Sequence, residues 1–151
     1  MDWHRITSQH DIDELMQVFN GFRHCVLTEM DYVSGAYVQP ALAMYPINAK
    51  RRLRFVFQRQ DAKLPAIELV FDELERLNLI PASSNCTAEI SGVLFKFQNG
   101  KLYWSDNEDF NINLIGKDPI INKGSWLQAK RAQWRVLEHH LGPNTVYGVT
   151  K

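Results

Sequence analysis

The densest run of side chains able to do chemistry lies in residues 51 to 75, RRLRFVFQRQDAKLPAIELVFDELE, where Arg, Gln and Glu alternate with Phe, Val, Leu and Ile. Alternation with a period of two is the signature of a strand, so the polar members of such a run share one face. Arg54, Gln58 and Glu68 fall on that face. Joined by Glu29 and Lys130 and walled by Tyr37, Trp104 and Trp134, they would hold one or two carboxylates beside cations in an apolar setting. That setting raises a carboxyl pKa towards the range of a general acid or base, and it equally suits a small ligand.

Other clusters carry less. Arg23-His24-Cys25 offers a thiol next to an imidazole, but adjacent strand residues point to opposite faces, so no dyad is expected and Cys25 reads as a buried small apolar residue. His139-His140 is a poor metal pair, because ligands sharing a face sit four apart on a helix or two apart on a strand. No metal and no cofactor are expected. Lys50, Arg51, Arg52, Arg54 and Arg59 are interleaved with Phe55 and Phe57, as in a basic sheet that stacks bases. Parity opposes this, since the two phenylalanines share the face opposite Lys50, Arg52 and Arg54, and nucleic acid is not an expected partner. Asp106, Glu108 and Asp109 could bind a cation or a basic partner, but a short acidic loop of this kind is most often just solvated. The sequence contains no glycine-rich phosphate loop, nucleophile elbow or H-E-x-x-H, and no catalytic residue is assigned.

The elements that must position these groups follow from pattern. Residues 51 to 75 read as a β-hairpin with Asp61 to Pro65 as the connection. That register sets Phe55 opposite Phe71 and Phe57 opposite Leu69 on one face, and Arg54 opposite Asp72, Val56 opposite Val70 and Gln58 opposite Glu68 on the other. Pro65 also suits a helix start, and Ile67, Val70, Phe71, Leu74 and Leu77 fall at helical spacing. The strand is preferred because Ile67, Leu69 and Phe71 alternate with Glu68, Val70 and Asp72, at the cost of a bulge near Glu73. Asn99-Gly100 predicts a type I′ turn, with Phe97 opposite Leu102, Phe95 opposite Trp104, Lys96 opposite Tyr103 and Leu94 opposite Ser105.

Ser8 caps a helix expected over about residues 9 to 20, with Ile12, Leu15, Met16 and Phe19 on one stripe and Asn20-Gly21 as its stop. Residues 23 to 45 read as two strands pairing across a Ser34-Gly35 break, the second interrupted or placed at an edge by Pro40. Residues 107 to 123, with Gly116 and Pro119 as breakers, form a long connection. The stretch SWLQAKRAQWRVLEHHL fits a helix and a strand about equally and is taken as a strand up to Val136, before a tail over residues 142 to 151. The fold expected is therefore a single α+β domain over residues 1 to 151. It is mainly antiparallel β, with a β-rich body at about 23 to 137 and a short N-terminal helix packed on a core of Phe55, Phe57, Leu69, Phe71, Phe95 and Trp104.

Composition sets the outer bounds. A chain of 151 residues can bury about 70% of the surface its unfolded form exposes. It therefore needs no disulfide or metal to fold. Lys plus Arg and Asp plus Glu both number 17, so no global field steers the protein to a polyanion or a membrane surface. No stretch approaches the ~20 apolar residues of a membrane span and the N-terminus carries no secretory pattern, so a cytoplasmic location is expected. Cys25 and Cys86 lie far apart in sequence, outside any C-x-x-C pair.

The segments FRHCVLTEM, RLRFVFQRQ, PAIELVF, NGKLYWSDN and WLQAKRAQWRVL, spanning about residues 20 to 137, resemble a family of small uncharacterised bacterial proteins, a domain of unknown function. Its most specific pieces are the FQRQ at Phe57 to Gln60, the AIEL at Ala66 to Leu69 and the YWSD at Tyr103 to Asp106. The resemblance implies no mechanism, but some proteins of this general kind resemble immunity partners of bacterial toxins. The missing catalytic motifs, the neutral charge and a polar sheet face suited to protein recognition make a non-enzymatic cytoplasmic protein-binding module the expected function, and the resemblance suggests an immunity type. A small-ligand binder or small enzyme built on the Glu29, Arg54, Gln58 and Glu68 cluster is the alternative.

Overall fold

The computed structural model describes residues 2–117 and 122–143. Strands run in the order β1 (His4–Ile6), β2 (Cys25–Val33), β3 (Tyr37–Val38), β4 (Met44–Tyr45), β5 (Arg52–Arg59), β6 (Ala66–Asp72), β7 (Arg76–Asn78), β8 (Leu94–Gln98), β9 (Lys101–Ser105), β10 (Trp126–Ala129) and β11 (Arg131–Leu137). The one α-helix among the described residues, α1 (Gln9–Val18), lies between β1 and β2. This is an α+β fold of antiparallel sheets with one short N-terminal helix. Part of the long connection, including Pro119, and the tail beyond residue 143 lie outside the described residues.

Two sheets enclose the core, one ordered β1-β11-β6-β5-β2 and one ordered β7-β10-β9-β8. Phe55, Phe57, Leu69, Phe71, Phe95 and Trp104 are all buried in it, as the alternation predicted. Their rings meet edge to face, Phe55 to Phe71 at 5.7 Å and Phe55 to Trp104 at 5.3 Å, the geometry that aromatic quadrupoles favour. The Asn99-Gly100 hairpin has the expected register, pair for pair, with φ of 53° and 75° at its two turn residues.

The β5–β6 hairpin has the predicted faces in a different register. Phe55 pairs with Leu69, Val56 with Glu68 and Gln58 with Ala66, two residues away from the expected alignment. The connection explains the shift. Asp61 Oδ1 accepts from the amides of Lys63 (2.8 Å) and Leu64 (3.3 Å), and Arg59 N donates to Pro65 O at 2.8 Å, which closes the loop one residue earlier than expected. A two-residue shift preserves parity, so every side chain keeps its face while its partner changes.

Two other expectations are corrected. No bulge carries β6 past Glu73: the chain turns there at φ 54° and enters the second sheet as β7. It returns at Lys130, where the single strand expected over 125 to 136 divides into β10 and β11 in different sheets. The two crossings are tied together by Lys130 N to Asp72 O (3.3 Å) and Glu75 N to Gln128 O (2.8 Å). The strand expected after Ser34-Gly35 does not pair with β2. β2 pairs with β5, while β3 and β4 pair with each other as a small separate hairpin.

Helix α1 starts as read. Ser8 Oγ accepts from Asp11 N (3.4 Å), and Asp11 Oδ2 accepts from Thr7 N (2.9 Å), which holds the Asp11 carboxyl below its usual range. The helix ends at Val18, and Asn20-Gly21 follows at φ 52° and 62°. Ile12, Leu15 and Phe19 are fully buried, and α1 packs against both β1 and β8. It thereby closes the side of the sandwich where these two edge strands lie. On the opposite side the edges are β2 and β7, and no α-helix among the described residues covers them.

Candidate functional site

Glu29, Arg54, Gln58 and Glu68 do share one region, the outward face of the five-stranded sheet. Glu68 is its centre, with a side chain only 6% exposed between the strands that bear Arg54 and Arg135. Its two carboxylate oxygens are divided between them: Arg54 Nε donates to Oε2, and Arg135 Nε to Oε1 at 2.9 Å. Arg54 Nη1 extends the set to Asp31 (2.9 Å) and Glu29 (3.4 Å), and His140 Nε2 lies 3.5 Å from Glu29 Oε2. Gln58 Nε2 donates to the carbonyl of Gly142 at 3.2 Å, and the Arg135 guanidinium stacks on Trp3 at 4.5 Å.

Burial alone would lower the Arg54 pKa, but its contacts with Glu68, Glu29 and Asp31 together outweigh that and raise it. The guanidinium stays charged. Each carboxylate of the set has a cation in reach, so the arrangement is a charge lattice that ties β2, β5, β6 and β11 across the sheet. Val56 and Val70, which point the same way, are buried as well, so the centre of this face is covered while Asp31 at its rim stays exposed.

The remaining four candidates are elsewhere. Trp104 stands opposite Phe95 and Trp134 opposite Leu69, both on core-facing sides, and Trp134 stacks on His4 at 4.5 Å. Tyr37 stacks on Tyr45 at 5.1 Å in the β3–β4 hairpin, and Lys130 is exposed at the crossing between sheets. The pocket walled by Tyr37, Trp104 and Trp134 is therefore not formed. Parity is the reason: an aromatic that packs in the core cannot also wall a site on the outer face. Nor is there a Cys-His dyad. Cys25 Sγ donates to Phe22 O (3.1 Å) and burial pushes its thiol up to about 12, while His24 Nδ1 contacts Glu89 at 2.7 Å.

Two features escaped the sequence reading. The first is an arm, residues 34–50, that leaves β2 and returns to β5. Ser34 O accepts from Lys50 N and Arg51 N, both at 3.0 Å, to close its base. Gly35 is required there, since φ is 95° and a Cβ would meet Lys50 N at 2.6 Å. Gln39 N to Ala43 O (2.8 Å) and Leu42 N to Gln39 O (2.7 Å) form the tip. From residue 34 to 49 the sequence SGAYVQPALAMYPINA holds no charged side chain and no histidine, a signal that could have been read. Yet Leu42 is 82% exposed and Met44 71% exposed.

The second is a cleft of about 420 Å³ between the β2 and β7 edges, lined by Leu27, Met30, Phe55, Leu77, Trp104 and Asp106 among others. Asp106 is half-buried rather than part of a solvated loop, which corrects the earlier reading. Its Oδ1 accepts from Ser125 N at 2.9 Å, and burial pushes its carboxyl up despite that hydrogen bond. Trp104 Nε1 is buried without an acceptor among the described residues. No local sequence pattern marks this cleft, because its walls come from both sheets.

The class these observations define is a two-sheet antiparallel β domain with a closed charge lattice on one face, an apolar arm and a lateral cleft. Comparison of the chain with protein families, with curated proteins and with solved structures finds no match. Among the described residues no helix is long and apolar enough to cross a membrane, and no group of His, Cys, Asp and Glu is arranged to hold a metal ion.

Proposed function

We propose that the protein is a non-enzymatic binding module that engages another protein through the arm at residues 34–50. One observation carries this reading: eight of the fourteen exposed large apolar side chains among the described residues fall within positions 32 to 47. Exposed apolar surface concentrated in that way marks an interaction site, whereas scattered single residues do not. The arm is also prepared for docking. Tyr37 on Tyr45, the closed base at Ser34 and the two prolines, Pro40 and Pro46, restrict it before any partner arrives, which lowers the ordering cost of binding. The partner surface that fits is an apolar groove without a requirement for ion pairs, since residues 34 to 49 carry no charged side chain.

A bacterial cytoplasmic setting, with a toxin as the bound protein, is the finer form of the reading. Two free cysteines, one exposed at Cys86, accord with a reducing compartment, and the resemblance to immunity-type proteins supports the partner class. A photo-crosslinking residue at position 42 tests the main proposal in the native cell. The expected result is one stoichiometric protein adduct that disappears with Met44→Asp, and no adduct from a crosslinker at position 131. Adducts only to lipid or only to a second copy of the chain would overturn it, and a genomic neighbourhood without a toxin gene would remove the immunity form.

A further inference from the structure

We propose that the cleft between β2 and β7 is a binding site for a small organic cation with an apolar body, its ammonium group seated on Asp106. This inference does not rest on the arm or on any protein partner.

The cleft is a built feature of the fold rather than a surface dent. Its inner wall is the aromatic core itself, with Phe55 and Trp104 reached from the side that α1 does not close. Its outer wall is a strap, residues 81–89, pinned at both ends. At one end Ile80 N donates to Ser125 Oγ (2.8 Å) and Ser125 Oγ donates to Ile80 O (3.2 Å). At the other, Ile90 N donates to Cys25 O (2.8 Å) and His24 N to Ile90 O (2.7 Å). A volume of about 420 Å³ lies within the range of small-molecule sites, and mostly apolar walls with few polar groups are their usual composition.

The charge of the lining selects the ligand. Asp106 and Glu89 line the cleft, and among the described residues no Lys, Arg or His does. Glu89 is occupied by His24 at 2.7 Å. The Asp106 carboxyl takes hydrogen bonds from the amides of Ser125 and of Asp106 itself but has no cation within ion-pair distance among the described residues, so its charge is left for a ligand. Carboxylates on the charge lattice were each given an arginine; this one faces an apolar cavity instead. An ammonium group would supply the missing counter-charge while its hydrocarbon portion covers Leu27, Met30 and Leu127. A carboxylate or phosphate ligand would be repelled, and a neutral one would leave Asp106 without a counter-charge.

Isothermal titration of the full chain at neutral pH with phenylbutylamine, phenylbutanol and phenylbutyrate, three probes of nearly equal shape, tests the assignment. The amine should bind about tenfold or more tightly than the alcohol, and the acid most weakly, as a charge-assisted hydrogen bond in a partly dry site requires. Asp106→Asn should bring the amine down to the alcohol and leave the alcohol unchanged. Ala88→Trp, at an exposed position in the strap, should abolish binding of all three with the melting temperature preserved. Equal affinity of amine and alcohol, tighter binding of the acid, or no binding of any probe would overturn the proposal. An amine preference that survives either substitution would place the amine elsewhere and overturn it as well.

Discussion

The outward face of the five-stranded sheet and the arm at residues 34–50 are opposites in chemistry and in completeness. The sheet face is crowded with charge, yet Glu68 holds two guanidiniums, Arg54 holds three carboxylates and Gln58 holds a backbone carbonyl. Each of these three side chains is already engaged within the fold. The arm has no charge before Lys50 at its base, yet Leu42, Met44 and Ile47 stand in water. Density of polar residues therefore does not mark a recognition site; what marks it is interaction capacity that the fold leaves unused. A charged side chain in a strand can be satisfied by its neighbours at little geometric cost, because cross-strand partners lie within reach of long side chains. An apolar side chain on a projecting hairpin has no neighbour to cover it.

The largest test of that contrast is Glu68→Gln. With the lattice as described, the charge lost leaves Arg54 and Arg135 facing each other across a covered face. Chemical denaturation should show a loss of about 2 kcal/mol, below the 3–5 kcal/mol of a fully buried pair because both guanidiniums keep some contact with water. A loss no greater than an ordinary surface change would make the sheet face an open surface again and erase the comparison.

Asp106→Asn sharpens it from the other side. Burial raises this carboxyl in the folded protein above its unfolded value, so the unfolded chain releases the proton first. The folded state is thus at full advantage below the unfolded value and loses stability as pH rises through the folded one. Removing the charge should raise the melting temperature at neutral pH, by no more than about 3 °C, and make no difference in acid below the carboxyl range. A lowered melting temperature at neutral pH would mean that Asp106 is stabilising as an anion, like the carboxylates of the lattice.

The smallest stability effect is expected in the arm. Leu42→Ser with Met44→Ser should change stability by less than ~0.5 kcal/mol while lowering partner binding tenfold or more. A comparable check on exposure uses the thiols: a maleimide at pH 8 should label Cys86 and spare Cys25, whose buried thiol stays protonated well beyond that pH. Labelling of both in the folded state would mean that the start of β2 opens readily.

Legibility followed the range of the forces involved. Asn99-Gly100 dictates a turn through its own backbone preferences, so the register of β8 and β9 could be read pair for pair. The faces of β5 and β6 were equally readable, since parity needs only alternation, whereas their register depended on how Asp61 caps its own loop and was missed by two residues. Ser8 and the Ile12, Leu15 and Phe19 stripe announced the helix for the same local reason. Of the candidate site, the union of Glu29, Arg54, Gln58 and Glu68 was legible, and the role of Arg135 as the second cation on Glu68 was not, because it arrives from a strand far along the chain.

The sequence by itself determined which side of β5, β6, β8 and β9 is greasy and that a helix follows Ser8, because period and capping act within a few residues. Only the tertiary structure decided that the chain changes sheets at Glu73 and Lys130, that the polar face is neutralised by its own arginines, and that one side of the sandwich is plugged by α1 while the other keeps a cleft around Asp106. Those outcomes depend on which segments meet across the core, and contacts between residues distant in sequence leave no periodic trace in the chain.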